Sequence, residues 1–308
     1  MKKKKTIIIL ASILTIILIA IATLIFRTGF LQESKIDNRD LETWQYNSNQ
    51  EIENTQRFTL PGSNKTCWYL IHSYTSTPAE MRELAKALNT KFNETIVVTK
   101  LKGHGEVPSR ILNLSLNDWY NQVDQETTTL SETCENINLV GISFGGTLST
   151  HLAEEKPFNN VYLIAPYLEP PYKFYYGLKP ATYLGILGPI IHYSKKTKVA
   201  QINSKEGLSK HIAYWNMPYK PVLNSKKFIE ETRQNINKIE EPLLIQHSIN
   251  DKTSDVKTSR EIILKTSSET KKLITFKKSN HILLADFDKD QTIQNIILFE
   301  ESQRQNNQ

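Results

Sequence analysis

The chain opens on one apolar block and then settles into alternation. Thr6 to Phe26 carries no charge and is dominated by Ile, Leu and Ala, enough as a helix to cross a hydrocarbon layer of about 30 Å. Leu31 to Gln56 is polar and reads as a tether, with a helical turn at Asp40 to Tyr46. Arg57-Phe58-Thr59-Leu60 predicts an edge strand, closed by Pro61-Gly62. Short apolar runs then recur at Cys67 to Ile71, Thr95 to Thr99, Ile137 to Ile142, Val161 to Ala165, Leu243 to Gln246 and Lys272 to Phe276. Runs of that kind suit strands covered on both faces.

Helical spacing fills the gaps between them. Met81, Leu84, Ala85 and Leu88 share one face after Thr77-Pro78-Ala79-Glu80, which predicts a capping threonine, a first-turn proline and a capping-box glutamate. A second helix is predicted from Ser115 to about Thr133 with Asp118 as partner acid, and a third places Leu148, Leu152 and Ala153 together. Further helices are predicted near Phe228 to Ile239, Thr258 to Thr266 and Asp288 to Glu301. Strands alternating with helices predict a mostly parallel sheet with helices on both faces. The chain thus divides into an anchor (1–30), a tether (31–56) and an α/β domain (57–308). Residues 167–241 break the rhythm with prolines, glycines and tyrosines.

Composition changes the picture at the N-terminus alone. The 308 residues carry a formal net charge of +6, but Lys2 to Lys5 contribute four of the lysines. The remainder has no basic stripe with interleaved aromatics, which argues against a nucleic-acid partner. Those lysines outnumber the single Arg27 beyond the apolar run, so the N-terminus is expected in the cytoplasm and the domain on the extracytoplasmic side. A cleavable signal is the rival, since Ala20-Ile21-Ala22 resembles a cleavage site; Leu24-Ile25-Phe26 continues the apolar run and favours an uncleaved, single-pass anchor. Cys67 and Cys134 begin predicted neighbouring strands, and both a disulfide and two buried thiols are compatible with that spacing.

The candidate chemistry centres on Gly141-Ile142-Ser143-Phe144-Gly145-Gly146, between a strand and a helix. Glycines on either side let the turn close sharply and lift the Ser143 hydroxyl out of the sheet, with the Phe144 amide at a helix N-terminus. A serine needs an imidazole to take its proton and a carboxylate to hold that imidazole. Both should lie in loops at carboxyl ends of strands. Asp251 follows the Leu243 strand, and His281 follows the Lys272 strand. The order Ser143, Asp251, His281 is that of nucleophile-elbow hydrolases. Asp255 is better placed to cap the next helix, and Asp286 and Asp288 break the order. His72, His104, His151, His192, His211 and His247 read as structural or surface residues, His104 bracing its loop near the site.

Four pieces together resemble the α/β-hydrolase superfamily, in its carboxylesterase and monoacylglycerol-lipase-like (serine-aminopeptidase-like) branch: His72-Ser73-Tyr74-Thr75 with Thr77-Pro78-Ala79-Glu80-Met81, Leu101-Lys102-Gly103-His104-Gly105, the Ser143 turn, and the paired Asp251 and His281 loops. The resemblance spans about Thr66 to Phe299. It implies an α/β-hydrolase fold with Ser143 as nucleophile, His281 as base, Asp251 as orienting acid, and the amides of Phe144 and Tyr74 as oxyanion donors. It also implies a cap at about 167–241, whose Tyr172, Phe174, Tyr175, Tyr176, Tyr183 and Ile190 suit an acyl or aromatic pocket. One departure stands out: His72-Ser73 stands where the family usually has His-Gly before the first oxyanion donor. The expected activity is hydrolysis of carboxylic esters or lipids through an acyl-enzyme, with no metal or organic cofactor. Thioesterase or peptidase action with the same residues, and a non-catalytic binding protein of this fold, are the alternatives.

Overall fold

The computed structural model describes residues 2–27, 37–171 and 193–306. Its strands are β1 (Phe58–Leu60), β2 (Ser63–Ile71), β3 (Glu94–Val98), β4 (Asn136–Ile142), β5 (Asn160–Ile164), β6 (Tyr193–Lys195), β7 (Asn216–Pro218), β8 (Leu243–Ser248) and β9 (Lys271–Phe276). Seven of them form one sheet in the order β1-β3-β2-β4-β5-β8-β9. All its pairings are parallel except that of β1, which runs antiparallel to β3 at the edge. β6 and β7 make a separate antiparallel pair inside the 167–241 insertion.

The apolar runs are unbroken because both faces of the sheet are covered. Along β2, Cys67, Tyr69 and Ile71 enter one core while Trp68 and Leu70 enter the other, as the period of two requires. Cys67 and Cys134 are joined by a disulfide that ties β2 to the turn before β4, across a separation of 67 residues. A loop of that length corresponds to about 4 kcal/mol in the chain-entropy account of cross-links.

Two local readings change. The helix after Thr77 starts late: Pro78–Met81 is a 3-10 turn and the α-helix is Arg82–Phe92. Glu80 does not close a capping box; it reaches back to Ser73 instead. By contrast, Asp118 accepts from the Ser115 amide (2.8 Å) and hydroxyl (2.7 Å), and the helix Leu116–Ser131 follows.

The tether reading of 31–56 fails from residue 37 onward, because that segment is packed on the domain. Asp40 is buried and accepts from the amides of Trp215 (2.7 Å) and Asn216 (3.3 Å). Asp37 accepts from the Ser109 amide (2.8 Å) and hydroxyl (2.6 Å), Trp44 donates to the Ala213 carbonyl (3.1 Å), and Ile52 and Thr55 are buried. Carboxylates that look solvated in sequence are here the acceptors for buried amides.

The N-terminal helix, Lys2–Arg27, has 26 residues, about 39 Å at 1.5 Å per residue. Its segment Lys4–Thr23 is long and apolar enough to cross a membrane, and its residues are exposed. The aromatic stretch of the insertion named above, Tyr172 to Ile190, lies outside the described residues.

Candidate active site

Ser143 sits between β4 and the helix Phe144–Glu155 with φ +54° and ψ −116°. The two flanking glycines make that bend sterically feasible. A Cβ on Gly141 would lie 2.2 Å from the Gly145 carbonyl oxygen, and one on Gly145 would lie 2.3 Å from the Ile71 carbonyl oxygen. The strained backbone is held by its neighbours: the Ser143 amide donates to Ile164 (3.0 Å), and its carbonyl accepts from Thr147 (3.0 Å) and Tyr167 (3.1 Å).

Three buried side chains distant in sequence meet there. His281 Nε2 is 2.8 Å from Ser143 Oγ, and His281 Nδ1 is 2.7 Å from Asp251 Oδ2. With Nδ1–H donated to the carboxylate, Nε2 is left as an acceptor for the serine hydroxyl. Asp251 lies in the loop that follows β8, where its Oδ1 accepts from the amides of Thr253 (2.7 Å) and Ser254 (2.9 Å). Burial works against its charge, but the imidazoles of His281 and His247 outweigh that and hold the carboxyl well below the usual range.

His247 is a residue the sequence reading left as structural. Its Nε2 lies 3.1 Å from Asp251 Oδ2 while its Nδ1 lies 2.6 Å from the Ser259 hydroxyl. Asp251 is therefore gripped by two imidazoles. Nothing local in the sequence marks this, because His247 lies within β8 and Asp251 in the loop after it. Asp255 caps its helix through the Lys257 amide, as expected (3.0 Å). Asp286 and Asp288 brace the His281 loop, accepting from the amides of Asn280 (2.8 Å) and Ser279 (2.9 Å).

The Tyr74 loop faces the serine from the end of β2. The Tyr74 ring stacks on Phe144 with centroids 5.2 Å apart, and its hydroxyl donates to the Pro218 carbonyl. Thr75 adopts φ +62° and donates its amide to His104 Nε2 (3.2 Å). His72 Nε2 accepts from the Leu101 amide (3.1 Å), and the two imidazole rings are 5.0 Å apart. Burial pushes His72 down to about 4 and His104 well below its ordinary value, so both are neutral acceptors at pH 7. Ser73 has an ordinary backbone, with no positive φ. Its amide and hydroxyl both donate to the Glu80 carboxylate (2.8 and 2.9 Å).

Ser143, His281, Tyr74 and Phe144 border a cavity of about 740 Å3. Its far wall comes from the insertion, including Val199, Ala213, Met217 and Val222. His211 lines it too, with Nε2 3.4 Å from the Ser76 hydroxyl, and burial pushes its imidazole down to about 3. His151 lies elsewhere, beside Glu154 and Thr232; His192 is outside the described residues.

The sequence profile of the family described as serine aminopeptidase, S33, matches residues 62–288. A thermostable monoacylglycerol lipase of Bacillus sp. (strain H-257) is 27% identical over 234 residues, which is 75% of this chain and 88% of that protein. A carboxylesterase of Bacillus subtilis (strain 168) is 24% identical over 244 residues, 79% of this chain and 94% of that protein. Among solved structures, a metagenome-derived lipolytic enzyme superposes with a TM-score of 0.73 at 20% identity, covering 82% of this chain and all of that one. The monoacylglycerol lipase of Paleococcus ferrophilus does so with a TM-score of 0.67 at 19% identity, covering 80% of this chain and 98% of that one.

Proposed function

We propose that this chain, which belongs to the serine aminopeptidase S33 family of α/β-fold serine hydrolases, cleaves carboxylic esters with Ser143 as nucleophile, His281 as general base and Asp251 as orienting acid. The chain is a hydrolase of lipase and esterase type, and the finer reading rests on one observation. The hydrogen-bonded series Ser143–His281–Asp251 opens on a cavity with an apolar wall.

In this mechanism Ser143 Oγ attacks the ester carbonyl as His281 Nε2 takes its proton. The negative oxygen that forms is stabilised by the amides of Phe144 and Tyr74, neither of which has a protein acceptor among the described residues. His281 returns the proton to the leaving alcohol, and an acyl-enzyme remains. Water, deprotonated by His281, then attacks the acyl carbon; the Ser143 oxygen leaves with the proton. We read the insertion at about 167–241 as the cap that shapes the acyl side. The relatives named as monoacylglycerol lipase and carboxylesterase favour carboxylic esters over thioesters or peptides.

We place the enzyme on a membrane through Lys2–Arg27, with the hydrolase domain extracytoplasmic. The lysines in the first turn of that helix support that orientation, and the Cys67–Cys134 disulfide suits an oxidising compartment. The test is fluorophosphonate labelling with a nitrophenyl ester panel of rising acyl length. Labelling of wild type, its loss in Ser143→Ala, and a fall in kcat of roughly 10⁴ or more in that variant and in His281→Ala are the expected results. An unlabelled, inactive wild type would leave a non-catalytic binding protein as the reading.

A further inference from the structure

The charge around the cavity is one-sided. Lys196, Lys198 and Lys252 border it, and among its described lining residues there is no Asp or Glu. A cavity built for a neutral acylglycerol needs no such imbalance.

Lys196 is bonded to the loop that carries the proposed oxyanion donor. Its Nζ donates to the Thr75 hydroxyl (3.0 Å) and the Val199 carbonyl (2.7 Å), both uncharged. Thr75 adjoins Tyr74, whose amide is the proposed oxyanion donor. Among the described residues no carboxylate lies within 4.0 Å of the Lys196 ammonium. Asp40 is the acid nearest in effect, and it is engaged by the Trp215 and Asn216 amides. Burial pushes Lys196 down to about 7 against the pull of Asp40. A half-buried ammonium with only neutral partners gains when an anion arrives beside it. Lys198 and Lys252 are exposed at the rim, where they raise the potential that such an anion meets on entry.

We infer that the site takes an ester bearing an anionic group a few bonds from the reacting carbonyl, a monoacyl ester of glycerol phosphate rather than a neutral monoacylglycerol, with Lys196 recognising the charge. This rests on the ester-hydrolase reading above and adds the substrate class. The geometry sets the spacing: the ammonium is bonded to the residue next to the oxyanion donor, so the anion and the scissile ester must lie close together, as they do across one glycerol unit.

The experiment compares hexanoyl glycerol 3-phosphate with hexanoyl glycerol as monomers, using the full chain in a neutral detergent. Wild type should favour the phosphate ester by about tenfold or more in kcat/KM. Lys196→Gln should bring that ratio close to one and Lys196→Arg should keep it, while exposed Lys65→Gln serves as the control. Equal rates in wild type, or a ratio undiminished in Lys196→Gln, would overturn the proposal. So would a preference seen only on anionic vesicles and absent for monomers, since the lysines would then serve the membrane surface. Nitrophenyl hexanoate, run in parallel, reports the hydrolase reading separately. Should that arm fail, titration of Ser143→Ala protein still decides: binding of glycerol 3-phosphate in preference to glycerol supports the anion site, and equal binding removes it.

Discussion

The Glu80 carboxylate accepts from both the amide and the hydroxyl of Ser73, at 2.8 and 2.9 Å, and so fixes the residue that directly precedes Tyr74. This gives a structural role to the serine at the position where the family resemblance implies glycine. The backbone there needs no positive φ, and the extra hydroxyl gains a charged acceptor rather than lying unsatisfied in the interior. Both groups are buried, so each bond matters more than it would at the surface.

Glu80→Gln should therefore lower kcat by about tenfold with little change in KM. An amide keeps one acceptor oxygen and presents an NH2 group where the Ser73 donors point, and losing one such bond is worth roughly 1–2 kcal/mol. The Tyr74 amide is proposed to act on the oxyanion and not on bound substrate, so the loss should appear in kcat. Steady-state kinetics on a nitrophenyl ester checks this; an unchanged kcat would detach Glu80 from the oxyanion loop.

His247 should behave as a positioning residue for Asp251. Its Nε2 shares Asp251 Oδ2 with His281 at 3.1 and 2.7 Å, which supports the ionised carboxylate. His247→Ala should lower kcat by about tenfold, as expected for losing a hydrogen bond to a charged group. His247→Gln, which retains an N–H donor, should recover part of that loss. Fluorophosphonate labelling rates in the two variants should follow the same order. If both variants label at the wild-type rate, the second imidazole only fills space.

How much of this was legible in the sequence follows from what each signal depends on. Ser143 declared itself because a sharp strand-to-helix bend excludes side chains at Gly141 and Gly145, a local steric demand. Asp251 and His281 were readable because strand order delivers loop residues to one rim. Glu80 was misread as a helix cap because its real partner, Ser73, lies across a loop that only the fold closes. Asp37 and Asp40 read as solvated tether for the same reason: the amides they satisfy belong to Ser109, Trp215 and Asn216. His211 and His247 gave no signal, since a histidine's role rests on what surrounds it in space.

His211 makes the stability of the fold depend on pH. Its imidazole is buried at the cavity wall, and burial first, then Lys196 and His281, pushes its folded-state pKa down to about 3. In the unfolded chain it would titrate near 6.5. Between those values the unfolded state binds a proton that the folded state refuses, so stability falls as pH drops through 6.5. At pH 7 the penalty is a small fraction of a kcal/mol; at pH 5 it is about 2 kcal/mol. Asp40, raised to about 6, and Glu154, raised to about 7, respond in the opposite sense, so the wild-type curve alone would hide the effect. Comparison with His211→Gln isolates it, because those carboxyls are common to both proteins. The stability of the variant relative to wild type should improve by about 2 kcal/mol on going from pH 7 to pH 5, read from urea midpoints at the two values. A difference that stays constant with pH would mean that His211 is free to take up its proton in the folded enzyme.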